Sequence, residues 1–234
     1  MPPGAARRSN LEVAAWNAAA TRSVAHRRRH TNQTNKLENF RRRVALSFMP
    51  FYRRRLPHWD VVGEPLFVTF RLHGSLPANR FFPPENVTSG EAFAALDNLL
   101  DRATSGPLFL AQPEIAAMVQ AAIHAGDHRF HRYALHAFVI MPNHVHMLVT
   151  PAVPSPEWLG RLKSFTATMA NKILRRQGPF WQHESYDRLV RDAAEFRRIA
   201  RYIESNPVKA GLAAEACAFP WSSAFQPKTN TTTA

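Results

Sequence analysis

Residues 133–150 constrain the fold of this 234-residue chain more than any other stretch. Tyr133 to Ile140 is rich in aromatic and β-branched residues and reads as a strand. Pro142-Asn143 breaks it, and His144 to Thr150 resumes the pattern, so the two runs are expected to pair as an antiparallel hairpin. In the second run His144 and His146 flank Val145. Side chains alternate across a strand, which puts both imidazoles on one face and Val145 in the core. Two imidazoles side by side on a rigid strand make a ready pair of metal ligands. Paired strand histidines are also common as surface or hydrogen-bonded groups, and the chain holds 11 histidines, so the pair alone leaves both readings open.

The rest of the chain supplies a β-αα-ββ-α-β-α order. Leu66 to Leu72 is β-rich and bounded by Gly63, Pro65 and Gly74. Helical patterns follow over about 90–104 and 113–125, the second opened by Pro113 and stopped by Gly126. A long helix is expected over 156–176, with Trp158, Leu162, Phe165, Met169 and Ile173 in its apolar stripe. A fourth strand falls between Trp181 and Val190, and a last helix runs from about 192 to 205, closed by Asn206-Pro207. That order predicts an α+β fold, an antiparallel sheet with helices packed on one face. Residues 1–48 lack apolar periodicity and read as a basic disordered extension with a short helix near 10–20. The folded domain is expected over 49–226, with 227–234 a disordered tail. Met49 opens a segment of different character, and one reading places the true translation start there.

Charge points to a polyanionic partner. The net charge is +13 and unevenly placed. Residues 1–55 carry thirteen Lys/Arg against two acids, and residues 158–209 carry eleven against five. The intervening 56–157 hold five basic and nine acidic residues. Such blocks suit nucleic acid. There is no apolar run long enough for a transmembrane helix. The single cysteine, Cys217, excludes a disulfide framework and a cysteine-based zinc site and fits a reducing cytoplasm.

Two further clusters bear on the histidine pair. The helix after it carries Arg161, Lys163, Lys172, Arg175 and Arg176, a cationic set suited to phosphates. The last helix ends in Tyr202-Ile203-Glu204-Ser205-Asn206, where Tyr202 and Asn206 share one helical face. A tyrosine nucleophile and an amide-oxygen ligand then approach the histidines together. Lys209, expected just past that helix, is a further DNA contact or a solvated lysine. Tyr186 is a rival nucleophile, read here as a packing or phosphate-contacting residue.

The chain resembles the REP-associated tyrosine transposases, single-tyrosine enzymes of the HUH type. The resemblance rests on Arg55-Leu56-Pro57-His58-Trp59, Phe67-Val68-Thr69-Phe70-Arg71-Leu72, Met141-Pro142-Asn143-His144-Val145-His146, Phe180-Trp181-Gln182, Tyr186-Asp187, Tyr202 through Leu212, and Trp221-Ser222-Ser223. These run in family order over about 53–225 and leave residues 1–48 outside. The resemblance implies a ferredoxin-like core and a divalent cation, Mg²⁺ or Mn²⁺. It implies His144 and His146 as ligands, Asn206 as the third, and Tyr202 as the nucleophile. It implies cleavage and transfer of single-stranded hairpin DNA through a 5′-phosphotyrosine. Segments near Arg53, Arg54 and Arg55 lie close to bound DNA in the family. Monomeric or homodimeric action in the cytoplasm, associated with the nucleoid, goes with it. The alternatives are a domesticated non-catalytic DNA-binding protein of the same fold, another HUH nickase (a replication initiator or relaxase), and a structural-metal or RNA-binding protein.

Overall fold

The structure is a computed structural model that describes residues 51–53, 57–59, 61–76, 97–101 and 106–227. The basic extension, the short helix near 10–20, Arg54, Arg55, nearly all of the tail, and residues 90–96 and 102–104 of the first expected helix lie outside the described residues. Strands β1 (Phe51–Arg53) and β2 (Pro57–Trp59) pair as an antiparallel ribbon. Strand β3 (Leu66–Arg71) follows, then a helical turn at 97–101. Next come α1 (Pro113–His128), β4 (Tyr133–Ile140), β5 (His144–Pro151), α2 (Arg161–Ile173), β6 (Tyr186–Leu189) and α3 (Ala193–Lys209). No helix among the described residues is long and apolar enough to cross a membrane.

The main sheet has the order β4-β5-β3-β6, with every neighbour antiparallel. The protein is α+β, as the sequence implies. The β4–β5 hairpin turns through Pro142-Asn143, closed by the Met141 N–H donating to the His144 carbonyl at 2.8 Å. The free side of β4 is met by the C-terminal segment, where the Ile140 N–H donates to Trp221 O at 2.8 Å and the Ser223 N–H to Phe138 O at 3.0 Å. An edge strand is thereby covered.

Alternation sorts the sheet into two faces. Leu66, Val68, Phe70, Val145, Met147 and Val149 join the core under α1 and α2, with Ile115, Val119, Ile123, Leu162 and Ala170. Phe67, Val139, Leu148 and Tyr186 form a second cluster on the other face with Ile203 of α3. So α1 and α2 share one face, and α3 adds a layer on the opposite one. The histidines of β5 alternate with the α1/α2 core residues and therefore face α3. Full burial of Ile203 against the sheet is worth roughly 1.5–3 kcal/mol and fixes the rotational phase of α3.

Two expectations are corrected. Phe165 is 54% exposed rather than part of the α2 stripe. A π-turn at Pro156–Gly160 opens that helix, and the buried line instead runs Trp158, Leu162, Thr166, Ala170. Thr166 is accepted there because its Oγ1 donates to Leu162 O at 2.7 Å and receives the Trp181 indole N–H at 2.8 Å. The last helix does not stop at Asn206-Pro207 but runs through both to Lys209. Proline removes only one N–H near a helix end, and both residues are buried, so packing offsets the loss. Asp192 caps its start by accepting the Glu195 N–H at 2.7 Å.

Candidate functional site

Thr69 and His146 are partners in the β3–β5 register, as are Arg71 and His144. All four side chains share the α3 face. The Thr69 hydroxyl lies 2.7 Å from His146 Nδ1. His144 and His146 are fully buried, with their Nε2 atoms 3.0 Å apart.

The tautomer of His144 follows from its neighbours. Asn143 Nδ2 donates to Leu100 O at 2.9 Å, which fixes the orientation of that amide. Asn143 Oδ1 therefore accepts from His144 Nδ1–H at 2.7 Å, and His144 Nε2 presents a lone pair to the site. Burial, then the adjacent His146, holds the His144 imidazole well below its ordinary range, so it is neutral. The Thr69 hydroxyl serves His146 in either form, donating to Nδ1 or accepting from it.

A third group arrives from the 97–101 turn. Asp97 is fully buried, its Oδ1 at 2.9 Å from His146 Nε2 and 3.7 Å from His144 Nε2. One ligand atom from each of Asp97, His144 and His146 lies within 4.8 Å of the others. Burial pushes the Asp97 carboxyl up, but the hydrogen bond and charge of His146, then His144 and Lys209, outweigh it and bring it down to about 2. Two imidazole nitrogens and one carboxylate oxygen suit a borderline divalent cation such as Mn²⁺ better than Mg²⁺, which favours oxygen ligands.

Helix α3 completes the cluster. The Tyr202 hydroxyl donates to Asp97 Oδ2. Its ring sits 5.8 Å from the His146 ring and 6.3 Å, edge-on, from Phe67. Lys209, nearly two turns further on, is the last residue of α3 rather than a residue beyond it. Its Nζ lies 3.3 Å from Asp97 Oδ2 and 3.4 Å from Asp101 Oδ2. Burial, then the charge of Asp97, raises the Asp101 carboxyl. Asn206 shares the Tyr202 face of the helix. It is fully buried, and neither atom of its side-chain amide has a hydrogen-bond partner among the described residues. An orphaned buried amide is costly, and its oxygen is a competent cation ligand.

The structure thus gathers His144, His146 and Tyr202 at one point, as the sequence predicts, and adds Asp97, which sequence reasoning missed. A signal existed. Asp97 stands between Phe93 and Leu100 at four- and three-residue spacing, a carboxylate in an apolar stripe. The cationic residues of α2 lie elsewhere, since that helix covers the opposite sheet face. Arg161, Lys172 and Arg175 are exposed. Lys163 Nζ is spent on the carbonyls of Gln182 and His183, at 2.8 and 2.9 Å. Arg176 donates to Asn171 Oδ1 and Pro179 O and stacks over Phe109. Arg53 belongs to β1. Tyr186 is buried in β6 opposite Thr69, its ring 6.4 Å from Phe67.

Sheet, paired strand histidines and facing tyrosine together define an α+β protein with a tyrosine-bearing, metal-competent site. Residues 112–206 match the family model described as IS200-like transposase. The match takes in both histidines, Tyr202 and Asn206 and stops short of Asp97 and Lys209 on either side. Among solved structures, the chain is similar to a REP-associated tyrosine transposase bound to a REP hairpin. The identity is 18%, over 75% of this chain and 82% of that one, with a TM-score of 0.46. No curated protein matches.

Proposed function

We propose that the protein cleaves and rejoins single-stranded DNA with Tyr202 as nucleophile, on a strand that carries a hairpin. One observation carries this reading: a single carboxylate, Asp97, holds the Tyr202 hydroxyl with one oxygen and meets His146 with the other. Nucleophile and metal-competent histidines are therefore fixed together before any substrate binds. The hairpin, and its kinship to REP palindromes, follow from the motif resemblance.

His144, His146 and Asp97 would hold a divalent cation, with Asn206 the fourth candidate. The orphaned Asn206 amide and the His144 lone pair fit such a group. When bound, the cation draws charge from a non-bridging phosphate oxygen. The residues of the chain do the rest. Tyr202 Oη forms a bond to phosphorus while the bond from phosphorus to the 3′ oxygen breaks. The phenolic proton leaves along the hydrogen bond to Asp97 Oδ2, and the 3′ oxygen departs as an alkoxide that takes a proton from water to become the free 3′-OH. With its carboxyl near 2, Asp97 is a weak base, so its main work is to orient Oη and to let the proton go only as the phosphorus bond forms. Lys209, 5.6 Å from the centre of the Tyr202 ring, favours the phenolate that develops. The phosphotyrosine conserves the energy of the diester, so attack by a 3′-OH reverses the step and joins strands without ATP.

Incubation with a single-stranded hairpin oligonucleotide and Mn²⁺ should give a covalent protein–DNA adduct on a denaturing gel, lost in Tyr202→Phe. An adduct that survives in Tyr202→Phe and disappears in Tyr186→Phe overturns the assignment. Tight binding without cleavage on every hairpin tried favours the non-catalytic DNA-binding alternative.

A further inference from the structure

Arg71 is not used by the chemistry above, yet its placement is unusual. It is the last residue of β3, alternates with Thr69, and therefore shares the α3 face with both histidines. It sits directly opposite His144 in the β3–β5 register, which places the two Cβ atoms about 4.5–5.5 Å apart. The side chain is half-buried, and its Nη1 donates to Ser75 Oγ at 3.2 Å. A guanidinium has five N–H donors, and among the described residues Ser75 is the acceptor that meets this fork. Among the described residues no carboxylate pairs with it.

The charges around it sharpen the point. Lys163 reaches the same end of the sheet from α2, since it holds Gln182 O and the Gln182 N–H donates to Arg71 O at 2.8 Å. Burial, and after Glu184 the charge of Arg71, act on the Lys163 ammonium. Among the described residues the Glu184 carboxylate offsets Lys163, and none forms an ion pair with Arg71. A partly desolvated cation without a counter-charge is expensive, and the cost is recovered when an anion arrives from outside. The guanidinium fork matches a phosphate bidentately, which an ammonium does not.

We propose that Arg71 is a phosphate-binding residue at the rim of the histidine site, where it takes the phosphodiester next to the one that Tyr202 attacks. This rests on the strand-cleavage reading for the identity of the strand, and on the geometry of β3 and β5 for the subsite. Lys163 adds positive potential but stays on its two carbonyls. The subsite holds the backbone and reads no base, so it is indifferent to sequence.

The test uses the full chain carrying Tyr202→Phe, so that no covalent capture intervenes, with EDTA present. A labelled oligo(dT) of about 20 nucleotides, longer than one binding site, is titrated at several salt concentrations. Arg71→Ala should weaken binding about tenfold and lower the slope of log K against log salt by about one. Arg71→Lys should keep the slope and lose only a few-fold in affinity, and its unchanged melting temperature guards against a folding artefact. Wild-type affinity and slope in both variants overturn the proposal. The two readings separate cleanly. A wild-type chain that forms the Tyr202 adduct while Arg71→Ala binds normally sinks the subsite alone. A chain that never forms the adduct, yet loses one unit of slope in Arg71→Ala, sinks strand cleavage and leaves the subsite standing.

Discussion

Tyr202 donates its hydroxyl to Asp97, a residue 105 positions earlier in the chain. The same carboxylate meets His146 and Lys209, so one buried side chain ties the β5 histidines to the α3 tyrosine. Asp97 lies ahead of residues 112–206, the span that matches the IS200-like transposase model. Asp97→Asn keeps the shape and one acceptor but removes the charge. Calorimetric titration with Mn²⁺ should show at least about a tenfold loss of affinity, of the size seen when ligand shells are disturbed. An affinity equal to wild type would show that Asp97 serves Tyr202 alone.

Asn143 supports the site without entering it. Its amide is clamped between Leu100 O and His144 Nδ1, which leaves the His144 Nε2 lone pair free for a cation. Asn143→Ala releases that tautomer and leaves Leu100 O without its donor. The expected outcome is Mn²⁺ affinity lower by about 10- to 100-fold, with a smaller thermal upshift on adding Mn²⁺ than the wild type shows. Asn143→Asp should retain more of the affinity, since a carboxylate oxygen still accepts from Nδ1.

Lys163 gives the protein a stability that rises in alkali. Burial, opposed by the charge of Glu184 and aided by that of Arg71, brings its ammonium from 10.5 down to about 8. Between those values the unfolded chain holds a proton that the folded chain has released, so unfolding free energy increases with pH across that window. The gain reaches up to about 3 kcal/mol when complete, by the relation of about 1.4 kcal/mol per pH unit. Urea midpoints measured from pH 7.5 to 10.5 should climb in the wild type relative to Lys163→Met, in which this contribution is absent. Parallel curves for the two would show that Lys163 stays charged throughout.

The hairpin was legible because β4 and β5 each carry a continuous β-rich run and the break between them is Pro142-Asn143. The partnership of Tyr202 with the histidines was legible as a shared helical face plus the motif resemblance. Asp97 was only faintly so, because its place between Phe93 and Leu100 in an apolar stripe marks a buried acid but does not say what it meets. The reach of α3 past Pro207 was hidden for a related reason, since proline propensity is local and the packing that overrides it is not. Phe165 misled because it stands three residues after Leu162, while the buried line steps by four from Trp158 through Leu162 and Thr166 to Ala170.

Gly126 is where packing and helix propensity pull in opposite directions. It lies inside α1, where alanine is normally preferred by about 1 kcal/mol. Tyr133, the first residue of β4, crosses over it and donates to Ile123 O at 2.7 Å. A Cβ at 126 would stand 2.2 Å from the Tyr133 hydroxyl oxygen and 2.5 Å from the ring carbon that bears it. Tyr133 is buried and held at its far side by Trp158, ring to ring at 5.1 Å, so it has little room to retreat. Gly126→Ala should therefore destabilise the protein by about 2 kcal/mol or more, the overpacking cost exceeding the propensity gain. In Tyr133→Ala the obstruction is gone, and adding Gly126→Ala to that background should be neutral or mildly stabilising. Chemical denaturation of the four proteins measures this coupling directly. A stabilising Gly126→Ala in the wild-type background would show that Tyr133 swings clear, and with it that the α1–β4 corner is looser than its hydrogen bond implies.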